Sequence, residues 1–352
     1  MRNVIRTVVV IGLAVGLLAV FLREADFGKV WSAVVSARAD FLVLSLGLTA
    51  LTFLIRAERW QYLLSPLGPT RFMTCFRTTV IGFAASAVLP ARAGEVIRPY
   101  LLARQEGLKA TATFATILVE RILDLVAVLV LLLAFLLFFD PGVESRDSRV
   151  FGAIRFGSLI MAPIALATLA VMFFMAGHPE RLHGWLLKAE AVLPARIASA
   201  LARLARTFAE GFAAVRSPQR LFAATGWSIV LWMSIAGGIW AVAVAFGISM
   251  PFTGGWLMLA PLVVGVAVPT PGGVGGFHEA FRVGATSFFG ADNDVAVGAA
   301  IVLHAISVIP VTVAGLLFIL QDGLKLGTLM GERPNDDRAT VDDPAMVDGA
   351  NR

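Results

Sequence analysis

The chain is short of charge. Only 15% of its 352 residues are Asp, Glu, Lys or Arg, against roughly 25% in a soluble domain. Length alone would suggest about two soluble domains; this composition excludes them. Cysteine is nearly missing too. Cys75 stands alone, which excludes an intrachain disulfide and a thiolate metal site. The four histidines, His178, His183, His278 and His304, show no ligand spacing, so neither a metal nor a cofactor is expected. A nucleotide-binding loop of the G-x-x-x-x-G-K-S/T type is missing, as is a Ser/His/Asp constellation. The longest polar stretch, 178–220, reads mostly as one surface helix and leaves no room for a soluble catalytic domain. Any transport is then passive, ion-coupled or driven by a partner.

What the chain does have is apolar residues, 58% of the total, with a mean hydropathy of +0.83. They gather in blocks at about 4–22, 41–56, 112–139, 155–177, 221–246 and 296–320. Blocks of this size span the roughly 30 Å hydrocarbon layer, which takes about 20 helical residues. The first block follows Arg2 and Arg6 and runs into Phe21-Leu22-Arg23-Glu24. That is a poor cleavage site, so it reads as a retained span. The net charge of +5 sits at span ends and in one arginine-rich stretch. Anionic lipid headgroups are therefore the expected partner, not nucleic acid.

Two further blocks, about 73–90 and 256–289, are interrupted by Pro and Gly. Arginines near span ends mark the cytoplasmic side. Arg56, Arg59, Arg71 and Arg77 mark an inside region before and at the start of the first interrupted block, and Arg92, Arg98, Arg104 and Lys109 mark another after it. Both sides of the block thus read as inside. The conflict disappears if 73–90 enters, turns at Pro90 and returns. The second block behaves likewise, because Val268-Pro269-Thr270-Pro271-Gly272-Gly273-Val274-Gly275-Gly276 cannot be continuous helix. The fold class expected is all-α: a polytopic bundle of six full spans and two re-entrant segments. A transmembrane domain over 1–325 precedes a polar tail over 326–352, and both termini lie in the cytoplasm of a bacterial inner membrane.

The order of elements suggests an inverted repeat, with halves 41–139 and 221–320. After each break comes Glu-x-x-Arg: Glu95 and Arg98, then Glu279 and Arg282. Paired interrupted segments in opposed halves point to a transporter's midplane site. Broken backbone at membrane depth must face water or protein, so an internal aqueous cavity is expected. Two amphipathic stretches flank the bundle: Ile197, Leu201, Leu204, Phe208 and Phe212 within a helix at about 195–216, and Phe27, Val30, Trp31 and Val34. Both read as surface anchors.

Four groups of residues carry chemistry. Glu120, Arg121 and Asp124 sit inside an apolar block, with Glu120 and Asp124 on one helix face. Each charge there costs roughly 2.5–3.5 kcal/mol, so the three must pair or face water. Arg92 and Arg98 could hold a phosphate, with Glu95 balancing one of them. Gly272, Gly273, Gly275 and Gly276 let backbone approach a ligand, and a helix starting near Gly276 would aim N–H groups at an anion. His278, Glu279 and Arg282 follow that turn. Arg56-Ala57-Glu58-Arg59-Trp60 reads as an interfacial anchor closing a span.

Taken in order, these groups resemble a known family. Arg56-Ala57-Glu58-Arg59-Trp60, then Leu89-Pro90-Ala91-Arg92-Ala93-Gly94-Glu95 with Arg98, then Glu120-Arg121 with Asp124, then Pro271-Gly272-Gly273-Val274-Gly275 with Glu279 are similar to the transmembrane region of lysylphosphatidylglycerol synthases. That region defines a broader flippase-like group, also called UPF0104. The likeness covers roughly residues 5–325. It implies movement of a lipid or lipid-linked headgroup between leaflets. Arg92, Arg98 and Arg282 would contact an anionic headgroup beside the glycines; Glu95, Glu120, Arg121, Asp124, His278 and Glu279 would line and balance the cavity. In the synthases a separate cytoplasmic domain makes the aminoacylated lipid. No such domain is found among these residues, so lysyl transfer is not expected of them. A transporter is therefore expected before an enzyme. The alternatives are an intramembrane lipid-modifying transferase, with Glu95 or Asp124 as base, and a non-catalytic scaffold of a lipid-synthesis complex. A second copy of the chain or a lipid-synthesis enzyme would be the protein partner.

Overall fold

The computed structural model describes residues 2–89, 92–138, 217–268 and 270–322, with isolated positions between 149 and 170. Among them the chain is all-helical. Helices α1 (Arg2–Leu22), α2 (Phe27–Ser36), α3 (Ala39–Leu64), α4 (Phe72–Val88), α5 (Gly94–Glu106) and α6 (Ala110–Phe138) come first. They are followed by α7 (Pro218–Ala245), α8 (Gly254–Ala267), α9 (Gly276–Phe289) and α10 (Asn293–Gln321), with one 3-10 turn, Pro271–Gly273, between α8 and α9. The apolar block at 155–177 lies largely outside the described residues. The surface helix at 195–216, the tail at 326–352, Pro90 and Pro269 lie wholly outside them.

Among the described residues, four helices are long and apolar enough to cross a membrane: α3, α6, α7 and α10, with 26, 29, 28 and 29 residues. Their exposed positions include Val43, Leu46, Leu133, Leu137, Leu317 and Leu320, an outward-facing apolar surface that only lipid solvates well. The protein is a polytopic membrane helix bundle. Polar residues mark the helix starts between spans. Asp26 accepts from the Gly28 and Lys29 amides to open α2, and Asp292 does the same for Asp294 and Val295 at α10. Ser217 caps α7, with Pro218 in its first turn. Each such cap satisfies donors that a helix start leaves without partners.

Both interrupted blocks are helix–break–helix hairpins. In the first, α4 gives way to extended backbone at Leu89, and Arg92 adopts a left-handed conformation with φ 53° before α5 starts. In the second, Gly272, Gly273 and Gly275 have φ of 61°, 75° and 85°, a region that glycine enters without the Cβ clash. Within each hairpin the helices touch through a pair of glycines. Gly82 of α4 meets Gly94 of α5, and Gly265 of α8 meets Gly276 of α9, so closely that a Cβ on any of the four would strike the facing backbone or side chain.

Helices α3–α6 and α7–α10 repeat one order: long, short, short, long. They also repeat one packing scheme. Replacing α3, α4, α5 and α6 by α7, α8, α9 and α10, and the reverse, converts each contact below into another. The α3–α4 contact becomes α7–α8, α4–α5 becomes α8–α9, and α5–α6 becomes α9–α10. Likewise α4–α10 becomes α8–α6, α3–α10 becomes α7–α6, and α3–α7 maps onto itself. Helices α1 and α2 stand outside the scheme and pack on α9 and α10.

The glycine pairs also set the register between the hairpins. A Cβ on Gly82 would lie 2.7 Å from the Arg98 Cβ; one on Gly265 would lie 2.7 Å from the Ala280 Cβ. Arg98 therefore corresponds to Ala280, and Glu95 to Phe277. This corrects the Glu-x-x-Arg match. Glu279 and Arg282 sit two places further along α9 than Glu95 and Arg98 do along α5. The shared feature is the close backbone crossing, which only residues without side chains permit.

Candidate functional site

The two acids of α6 are buried, and they draw their partners from three other helices. Glu120 is fully buried and Asp124 nearly so. Arg59, from α3, lies between them. Its Nη1 donates to Asp124 Oδ1 at 2.5 Å and to Ser228 Oγ at 2.8 Å; its Nη2 donates to Glu120 Oε1 at 3.3 Å. From α5, Arg98 Nη1 donates to Glu120 Oε2 at 2.7 Å. The Arg98 guanidinium stacks 3.8 Å from the centre of the Trp60 ring. From α7, Trp232 Nε1 donates to Asp124 Oδ1 at 3.0 Å. Trp60 Nε1 in turn donates to Thr116 Oγ1 at 2.9 Å. One network thus fastens α3, α5, α6 and α7.

Arg56 is different. It too is buried, at 7% exposure, but neither its Nε nor its Nη1 has a hydrogen-bond partner. Asp124 Oδ2 lies 4.0 Å from Nη1, the outer limit of an ion pair. The guanidinium sits 5.0 Å from the centre of the Phe83 ring. A buried cation held this loosely is expensive unless a further anion completes it. Arg121, half-buried, reaches Asp124 Oδ2 at 3.6 Å.

Arg56 and Arg121 open onto a cavity of about 510 Å³ among α3–α10. Of the residues singled out from the sequence, Arg92, Glu95, Arg98, Arg121, Asp124, Gly272 and Gly273 line it. Glu120 lies behind its wall, holding Arg98 and Arg59. Arg92 pairs with Glu95 at 3.8 Å, and its Nη2 donates to the Val266 carbonyl near the end of α8. It thereby joins the tips of the two hairpins.

The others named are elsewhere. Arg282 bonds Glu279, at 2.5 and 2.8 Å, and Asn293, at 3.0 Å. Asn293 reaches the Glu24 carbonyl, so this cluster fastens α9 to α10 and to the chain after α1. His278 is buried against Phe21 and His304, with its Nδ1 accepting from the Gly275 amide. Gly275 packs on Leu17 of α1, and Gly276 on Gly265. These five do not line the cavity, because α9 turns them toward α1, α8 and α10. Among the described residues no group of three His, Cys, Asp or Glu could hold a metal ion.

The reading of residues 56–60 as an interfacial anchor is corrected. Arg59 and Trp60 are fully buried and Arg56 lines the cavity. The signal was available: two acids four apart on one span require cations, and Arg56 and Arg59 lie three apart on another. Ser228, Trp232, Thr270 and His304 had no such signal, since nothing in their local sequence says what they face.

Comparison with known proteins places these residues in a family context. The lysylphosphatidylglycerol synthase TM region matches residues 4–315. A UPF0104 membrane protein of Methanothermobacter thermautotrophicus is 25% identical over 356 aligned positions, covering 91% of this chain and 95% of that protein. A UPF0104 membrane protein of Methanocaldococcus jannaschii is 26% identical over 99 residues, covering 27% of this chain and 30% of that protein.

Proposed function

This chain belongs to the lysylphosphatidylglycerol synthase TM region family, and on that premise we propose that it is a transporter carrying an anionic lipid or lipid-linked headgroup between leaflets. One observation carries the reading: Arg56 is a buried guanidinium on a cavity wall whose Nε and Nη1 lack hydrogen-bond partners. A phosphate oxygen supplies what it lacks, since guanidinium and phosphate match in charge and fork geometry. Arg121, whose Nε is also without a partner, would share the load. Arg98 serves as wall, because Glu120 already holds it. Arg282 drops out of the binding role. The headgroup crosses along the polar cavity while the tails stay in lipid.

The architecture that fits this task is six crossings with two re-entrant hairpins in an inverted repeat, both termini on the cytoplasmic side of a plasma membrane. The matched contacts of α3–α6 and α7–α10 support it. So does the polar cavity between two broken segments, the arrangement that alternating access uses. The test is headgroup translocation in proteoliposomes made with an acyl-labelled anionic phospholipid. Arg56→Gln should lower the rate roughly tenfold or more, as losing one charge-assisted contact would, while thermal stability in detergent is kept. An unchanged rate would sink the assignment.

A further inference from the structure

Among the described residues, the charged ones of the cavity wall are confined to one half of the molecule. Arg56, Arg92, Glu95, Arg98, Arg121 and Asp124 all come from α3–α6 and the turn before α5. Four arginines face two carboxylates, an excess of two positive charges. Both carboxylates lie beside arginines. Asp124 accepts from Arg59 and Trp232, with Arg121 and Arg56 at its other oxygen, and Glu95 faces Arg92. An ammonium group entering this wall would meet that excess of positive charge, with each carboxylate already beside an arginine.

The opposite wall, from α7–α10 and the second break, has no Asp, Glu, Lys or Arg among the described lining residues. It is not merely apolar. Thr270 is 5% exposed, and its hydroxyl has no hydrogen-bond partner. It lines the cavity just before the left-handed Gly272–Gly273 turn, where the Gly272 carbonyl is met by His304 Nε2 at 2.9 Å. The first turn of α9 follows, with Phe277 on the same wall. A hydroxyl buried without a partner costs stability; retained beside a cavity, it fits a ligand that donates to it or accepts from it.

Resting on the transport reading above, we infer that the headgroup is a phosphoester whose remaining portion is neutral and hydroxylated. The phosphate meets Arg56 and Arg121, and the hydroxyls meet Thr270 and the glycine turn. Headgroups that carry an ammonium, aminoacylated ones included, are rejected by the arginine wall through like-charge repulsion.

The test compares acyl-labelled lipids in proteoliposomes of the full chain: phosphatidylglycerol, its lysyl ester, and phosphatidate, which has the phosphate without the hydroxylated group. Phosphatidylglycerol should move roughly tenfold or more faster than the lysyl ester. Thr270→Val, of similar shape, should slow phosphatidylglycerol roughly tenfold and leave phosphatidate at the wild-type rate. Its detergent stability should be no lower than wild type, because an unpaired hydroxyl is removed. Equal rates for phosphatidylglycerol and its lysyl ester would overturn the selectivity while leaving transport in place. Loss of phosphatidate movement together with phosphatidylglycerol in Thr270→Val would overturn the hydroxyl contact. Immobility of all three lipids in the wild type would overturn the transport reading itself. A further arm offers soluble glycerol phosphate to the same vesicles. Uptake of it without lipid movement would overturn a lipid as the bearer of this chemistry.

Discussion

The two hairpins, α4–α5 and α8–α9, share a skeleton and differ in chemistry. Each crosses on a glycine pair, Gly82 with Gly94 and Gly265 with Gly276. Four residues past the second glycine the likeness ends. The first hairpin places Arg98 there and inserts it into a buried ion network; the second places Ala280, and the polar side chain it turns to the cavity is Thr270. A repeated backbone thus supports two unlike walls around one cavity. Close packing without side chains constrains the glycines in both halves equally. The side chains beyond them answer only to what they face, so one half became a charged wall and the other a neutral one.

The largest break in this comparison should come at Arg98. Arg98→Ala removes a partner of buried Glu120 and the stack on Trp60, and should destabilise by about 3–5 kcal/mol, the usual cost of breaking a buried ion pair. Equilibrium unfolding in mixed micelles measures it. Ala280→Gly at the corresponding place should cost only about 1 kcal/mol through helix propensity. Comparable losses at both positions would mean that the network does not govern the first hairpin.

The glycine crossings should behave alike. Gly94→Ala and Gly276→Ala each force a methyl group against facing backbone, and each should destabilise by about 1–3 kcal/mol, as overpacking does. If only one of the two is harmful by thermal melting, the shared skeleton is wrong. Smaller again is the tether of the second break. His304→Phe loses the bond to the Gly272 carbonyl and should cost about 0.5–1.5 kcal/mol, read by the same melt.

An effect of similar size concerns the bridge between the hairpins. Arg92→Ala and Arg92→Gly both lose the bond to the Val266 carbonyl, but only glycine relieves the left-handed backbone. Arg92→Gly should therefore be the more stable of the two by about 1–2 kcal/mol. Equal stabilities would show that residue 92 carries no strain.

Much of this architecture was legible from composition and pattern. The long apolar runs announced α3, α6, α7 and α10, and the Pro- and Gly-rich breaks announced both hairpins. Glu120 and Asp124 announced a buried network, since charges in an apolar run need partners. The register between the hairpins was not legible. Glu-x-x-Arg is short and recurs by chance, whereas the glycine crossing becomes visible only when two helices touch. Arg56 and Arg59 were visible but misplaced. An arginine at the end of an apolar block looks interfacial until α3 proves to run on to Leu64 and carries both inside the bundle.

By itself, then, the amino-acid sequence determined that this chain lives in a membrane, has two broken apolar blocks and must reconcile charges on its third long apolar block. Those follow from hydration and hydrogen bonding, which act on each segment alone. Which arginine satisfies which acid was decided only by tertiary structure. So were the loosely held Arg56 and the neutral wall carrying Thr270. Each depends on how distant helices are brought face to face, and a linear pattern does not encode that distance.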